Sequence, residues 1–171
     1  MITSINTKKD FEFYLPELIM NYRKMFSEAP FNNPNITIKY ATMFFKNTFK
    51  NGVIFISTPD NNSSIDGFRT IIKSEEFKDF YKLNLEQNSI YLSCLWVSPK
   101  SRQKGIGNGL MEYSLNLIQN KLKIKTIYVR TRNDTPKINS LLNKTGFTPL
   151  KSYLTQINNQ DLKLTLHCKK I

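Results

Sequence analysis

The sequence predicts an α/β (α+β) fold built on one mixed, mostly antiparallel central sheet with helices on both faces, and three observations carry that expectation. Apolar spacing alternates between two and three-to-four residues, in the order strand, helix, helix, two strands, strand, helix, strand, helix, two strands. The centre runs strand, glycine loop, helix, strand without a gap, which implies parallel pairing, whereas the flanking segments read as antiparallel hairpins. Finally, 171 residues at 40% hydrophobic content suffice for one substantial core and are too few for two ordinary domains. Residues 1–171 therefore read as a single domain.

Met1 to Asn6 suits a short first strand. Phe11, Tyr14, Leu15, Leu18, Ile19, Tyr22 and Phe26 then recur at helical spacing over Lys8 to Phe26, with Thr7 as N-cap and Pro16 predicting a kink or two shorter helices. Thr37 to Lys50 is a second helix, stopped by Asn51-Gly52. Val53 to Ser57 and Ile65 to Ser74 form a hairpin around the turn-rich Thr58 to Ser64, and Glu75 to Leu83 suits a short helical insertion. Ile90 to Val97 is a β-branched and aromatic strand. After a polar loop, Gly105 to Lys121 is a helix with Ile106, Leu110, Tyr113, Leu117 and Leu122 expected on its apolar face. Thr126 to Arg130 is the next strand, Pro136 opens a helix that stops at Gly146, and Phe147 to Ile157 pairs with Leu162 to Lys169.

Composition removes several classes. Cys94 and Cys168 cannot make a disulfide framework, and no Cys/His cluster has zinc-ligand spacing, so no metal is expected. No apolar run approaches the ~20 residues of a membrane span, and the N-terminus lacks a secretory h-region. Free thiols then point to a cytoplasmic protein without membrane partners. The net charge of +12 is lopsided: residues 1–97 are nearly neutral, while the excess lies in residues 98–171. An anionic partner is expected against that second half. A basic nucleic-acid-binding module is one alternative, but no helix-turn-helix, RNA-recognition signature or basic tail accompanies the charge. Cys94 lies mid-strand without a histidine nearby in sequence and reads as a small buried hydrophobe; His167, the sole histidine, reads as structural.

The stretch Leu95-Trp96-Val97-Ser98-Pro99-Lys100-Ser101-Arg102-Gln103-Lys104-Gly105-Ile106-Gly107-Asn108-Gly109 carries the chemistry. It sets unhindered amides at a helix start, where four N–H groups lack intrahelical partners and the helix dipole favours an anion. Gly105 and Gly107 let a ligand approach the main chain, and Arg102 and Lys104 add charge. The P-loop fails because no Lys-Ser/Thr follows its last glycine, and the dinucleotide fingerprint fails because the third glycine arrives one residue early. A phosphate or pyrophosphate cradle remains.

This stretch resembles the acyl-CoA motif of the GCN5-related N-acetyltransferase (GNAT) superfamily, Arg/Gln-x-x-Gly-x-Gly/Ala, through Arg102, Gly105 and Gly107. Lys144-Thr145-Gly146-Phe147 resembles the family's Lys-x-Gly-Phe ending, and the element order agrees along the chain. The resemblance implies transfer of an acetyl group from acetyl-CoA to a primary amine by direct attack. It implies an acceptor-side half at about 1–89 and an acyl-CoA half at about 90–171. It also implies that the central strand splays from its parallel neighbour after a β-bulge, exposing Leu95 and Val97 main-chain groups to the pantetheine arm. Cofactor contacts are accordingly expected at Leu95, Trp96, Val97, Arg102, Gln103, Lys104, Gly105, Ile106, Gly107, Asn108 and Asn133, and a homodimer is compatible with the family.

Two departures matter. The position four before Gly146, where relatives carry a tyrosine acid, is Leu142, and near the start of the central strand Tyr91 and Ser93 stand where some relatives carry Glu or His. Tyr91 and Ser93 are the catalytic candidates that remain. A member that binds acyl-CoA without turnover is the second alternative.

Overall fold

The computed structural model describes residues 1–29, 31–59, 64–157 and 160–171. In chain order the elements are β1 (Ile2–Ser4), α1 (Lys8–Ser27), α2 (Ile38–Asn51), β2 (Gly52–Ser57), β3 (Gly67–Lys73), α3 (Phe80–Leu83), β4 (Ile90–Val97), α4 (Ile106–Lys121), β5 (Thr126–Arg132), α5 (Pro136–Lys144), β6 (Thr148–Ile157) and β7 (Gln160–Lys170). Short 3₁₀ turns precede α3 and follow β4. The strands form one seven-stranded sheet ordered β1-β2-β3-β4-β5-β7-β6, antiparallel everywhere except the β4–β5 pair. Of the turn expected at Thr58 to Ser64, residues 60–63 lie outside the described residues.

Local chemistry sets the helix ends. The Thr7 hydroxyl oxygen accepts from the Asp10 N–H at 3.1 Å, and that of Thr37 accepts from the Tyr40 N–H at 3.1 Å, each satisfying an orphan amide of a first turn. Pro16 does not divide α1, which runs unbroken through it. The ring lies on the exposed side, where water can hydrate the Glu12 carbonyl that loses its bond.

Two layers cover the sheet. On one face α4 and α5 pack over Phe55, Ile71, Ile90, Leu92, Ile127 and Val129. On the other, α1 and α2 cover Ile54, Ile56, Phe68 and Trp96, locked together by the Phe11–Phe49 stack at 4.4 Å. Beside them α3 covers Ile72, Tyr91, Tyr128 and Leu166. The buried side of α4 is Leu110, Met111, Ser114, Leu115 and Ile118. This is rotated from the expected stripe: Tyr113 and Leu122 are exposed, and Ile106 and Leu117 only flank the core. Apolar residues run around more than half of this helix, so spacing alone admitted both stripes.

Candidate active site: a splayed strand and an amide nest

β4 is the element on which the site is built. Its register with β3 runs Ile71↔Leu92 and then Thr70↔Cys94, so Ser93 is one extra residue, a β-bulge. Parallel pairing with β5 stops at the same point, with Ile90, Leu92 and the residue between them opposite Ile127 to Val129. Beyond the bulge the two strands part.

Main-chain direction beyond that point follows from hydrogen bonding. The Ser98 N–H donates to the Asp66 carbonyl at 2.7 Å, and the Cys94 N–H donates to Thr70 Oγ1 at 3.1 Å, so even-numbered residues address β3. In an antiparallel ladder the alternate residues turn the other way. Leu95 and Val97 therefore present N–H and C=O groups to the gap left by β5. The Val97 carbonyl accepts from Arg102 Nε at 3.3 Å, and Arg102 Nη2 lies 3.3 Å from Glu28 Oε2, just past the end of α1.

The gap leads to the loop before α4. Gln103 at φ 64° and Gly105 at φ 79° are left-handed, and this curls successive amides toward one concavity. Among the described residues, the amides of Gln103, Lys104, Gly105, Ile106, Gly107 and Asn108 have no hydrogen-bond acceptor; the first helical bond is Gly109 N–H to the Gly105 carbonyl at 2.9 Å. Neither backbone angle nor packing demands glycine at 107, where an added Cβ would meet only Val97 Cγ2 at 3.7 Å. Helical side chains lean toward the N-terminus, so a long side chain there would lie over the amides. The absence of one keeps the nest open, which fits a diphosphate.

The remaining sequence candidates fall in different places. Trp96 is buried against Phe68 with centroids 5.7 Å apart, and its main chain addresses β3; the structure does not bring it to the gap. Tyr91 precedes the bulge and stacks on Phe77 at 3.8 Å, its hydroxyl pKa raised chiefly by burial. Ser93 is the bulge residue itself, at the mouth of the gap. Asn133 is exposed after β5, with its Oδ1 accepting from Thr165 Oγ1 at 2.8 Å. Leu142 is wholly buried in the α4–α5 core and offers no proton. Burial pushes the Cys94 thiol up to about 11, which leaves it a poor nucleophile. His167 is buried with Nε2 3.0 Å from Thr131 Oγ1. Among the described residues no helix is long and apolar enough to cross a membrane, and no cluster of potential ligands could hold a metal ion.

A mixed sheet whose parallel pair opens onto an amide nest defines the acyl-CoA-dependent acyltransferase architecture. The model of the acetyltransferase (GNAT) family matches residues 23–147. The chain belongs to that family, and thereby to the enzymes that move an acetyl group from acetyl-CoA to an amine. Solved structures agree on the fold. A ribosomal-protein-alanine N-acetyltransferase from Brucella melitensis superimposes with a TM-score of 0.78 at 16% identity, covering 100% of this chain and 99% of that one. An N-acetyltransferase from Staphylococcus aureus Mu50 gives 0.74 at 18% identity over 99% and 98%. NAA60 of Arabidopsis thaliana in complex with acetyl-CoA gives 0.69 at 18% identity over 100% and 98%. No curated protein matches the chain significantly.

Proposed function

We propose that residues 90–171 hold acetyl-CoA and that residues 1–89 form most of the acceptor side, with transfer to a primary amine by direct attack. The carrying observation is the unpaired edge of β4 ending in the amide nest. In this reading the Gln103 to Asn108 amides, with Arg102 and Lys104, take the diphosphate, each charge-assisted bond being stronger than a neutral one. The Leu95 and Val97 main chain pairs with the pantetheine arm as an added strand would. Arg102 leaves the Val97 carbonyl to do so, exchanging Glu28 for phosphate. Bound acetyl-CoA supplies an acyl thioester open to the amine.

An amide at the Ser93 bulge, turned out of the ladder, is placed to donate to the developing oxyanion. Leu142 lies in the core and offers no proton, and burial raises the Tyr91 hydroxyl pKa, so water in the open gap takes the amine's proton while the thioester C–S bond breaks and coenzyme A leaves as its thiolate. The chain acts in the cytoplasm, in keeping with its thiols. Calorimetric titration with acetyl-CoA, followed by a free-thiol release assay over an amine panel, tests the reading. Saturable binding and amine-dependent thiol release are expected; absence of heat at high micromolar acetyl-CoA removes its basis, and binding without turnover by any amine reduces the chain to a carrier of acyl-CoA.

A further inference from the structure

One polar cluster on the sheet face covered by α3 is not used by the donor site. Arg130 directly follows Val129, the last β5 residue paired with β4, and it shares its face with Tyr128, on the side of the sheet away from α4. Two separate segments, residues 77–79 and β6, fix its guanidinium. Nη1 donates to Asp79 Oδ2 at 2.7 Å and to Tyr153 Oη at 3.2 Å, and the group lies 5.1 Å over the Phe77 ring. Among the described residues no acceptor engages Nε or Nη2, and neither atom is sealed from solvent.

Arg130 borders a cleft of about 220 Å³ lined also by Lys78, Lys82, Thr155 and Gln156. The one carboxylate in its walls, Asp79, already pairs with Arg130, so the surplus charge is positive. A guanidinium held on one side, with its Nε/Nη2 edge open, matches the two oxygens of a carboxylate. The volume falls below the roughly 300–1,000 Å³ of sites for drug-sized ligands, which suits a small molecule.

We infer that this cleft holds a carboxylate of the acceptor, so that the acetylated substrate is a small amine of the amino-acid class. The carboxylate sits on Arg130 with Lys78 and Lys82 nearby, and the amine points to the opening between β4 and β5. This rests on the transferase reading above and narrows it.

The test pairs two readouts. Alanine and phenylalanine are compared with their amides as acceptors, by thiol release at saturating acetyl-CoA. In parallel, N-acetylglycine and inorganic phosphate are titrated directly, with acetyl-CoA binding measured on the same samples. Acids are expected to exceed their amides in kcat/KM by roughly tenfold or more, the loss expected when a charged hydrogen-bonding partner is removed. Arg130→Gln is expected to remove that preference through KM and to weaken N-acetylglycine roughly tenfold, with acetyl-CoA affinity unchanged. Arg130→Lys, which keeps the charge and the fold but not the fork, should give an intermediate preference.

Equal use of acids and amides, no N-acetylglycine binding at millimolar concentration, or tighter binding of phosphate than of N-acetylglycine overturns the inference. Lost acetyl-CoA binding in the wild-type chain instead signals failure of the donor-site reading.

Discussion

Gly107→Glu separates what the fold needs from what the ligand needs. Position 107 lies in the first turn of α4, where its backbone angle is ordinary and a Cβ finds normal contact. Glutamate is a better helix former than glycine by roughly 0.5 kcal/mol, and a carboxylate in a first turn gains about 0.3–1 kcal/mol from the helix dipole. The variant is therefore expected to melt at or slightly above the wild-type temperature, by roughly 1–5 °C for a chain of this length. Its effect on acetyl-CoA runs the other way. A negative charge within about 4 Å of a phosphate costs from ~1 kcal/mol in water to ~4 kcal/mol at an effective dielectric of 20. That corresponds to a loss of affinity of roughly five- to several-hundred-fold. Thermal melts and calorimetric titrations on the same preparations read both quantities. Gly107→Ala, which the family pattern admits, should bind nearly as the wild type does. Wild-type affinity in Gly107→Glu would refute the grip of these amides on a diphosphate, and a lower melting temperature would refute the claim that packing leaves this position open.

Two further outcomes concern the scaffold. Proline costs about 3 kcal/mol in a helix interior and returns up to ~1 kcal/mol by restricting the unfolded chain, so Pro16→Ala should stabilise by about 2 kcal/mol and raise Tm by roughly 4–8 °C; an unchanged or lower Tm by circular dichroism contradicts an unbroken α1 with Pro16 on its solvent side. Burial holds the His167 imidazole below its ordinary value of 6.5, so its contribution to stability is complete above that pH and is lost as the pH falls through the folded-state value. The fall in Tm on acidification below pH 6.5 should be shallower in His167→Gln than in wild type, and parallel Tm profiles would show that this residue does not take part.

The order of elements along the chain and the single parallel pair were legible because their signals are local: turn residues between β2 and β3, a glycine loop between β4 and α4, and two-residue alternation in the last hairpin. The amide nest was legible for the same reason, since Gly105 and Gly107 sit next to the strand they serve. What spacing could not resolve was the orientation of α4, where Met111 and Leu115 compete with Tyr113 and Leu117 for the inside. The Arg130 cluster also stayed hidden, because Asp79 and Tyr153 stand 51 and 23 residues away and come together only in the fold. One local clue existed. Ile127 and Val129 alternate with Tyr128 and Arg130, so a charged residue falls in phase with a face that other elements cover, and such a residue must find a partner. The Glu28 contact of Arg102 gave no comparable clue.

The extra residue at Ser93 acts as a half-wavelength step in β4. Upstream, even-numbered Ile90 and Leu92 face α4 and α5; downstream, even-numbered Cys94 and Trp96 face α1 and α2, while Leu95 takes over the α4 side. Each half of the strand is thus tuned to a different layer, and the join fixes their relative parity. Excising Ser93 would leave Leu92 followed directly by Cys94 in plain alternation, so the indole and Leu95 would keep their layers and only the bulge would be lost. The surplus residue therefore serves the opening of the sheet and not the placement of the core, and a graft or hybrid that trims it would keep the packing while closing the point at which β4 and β5 part.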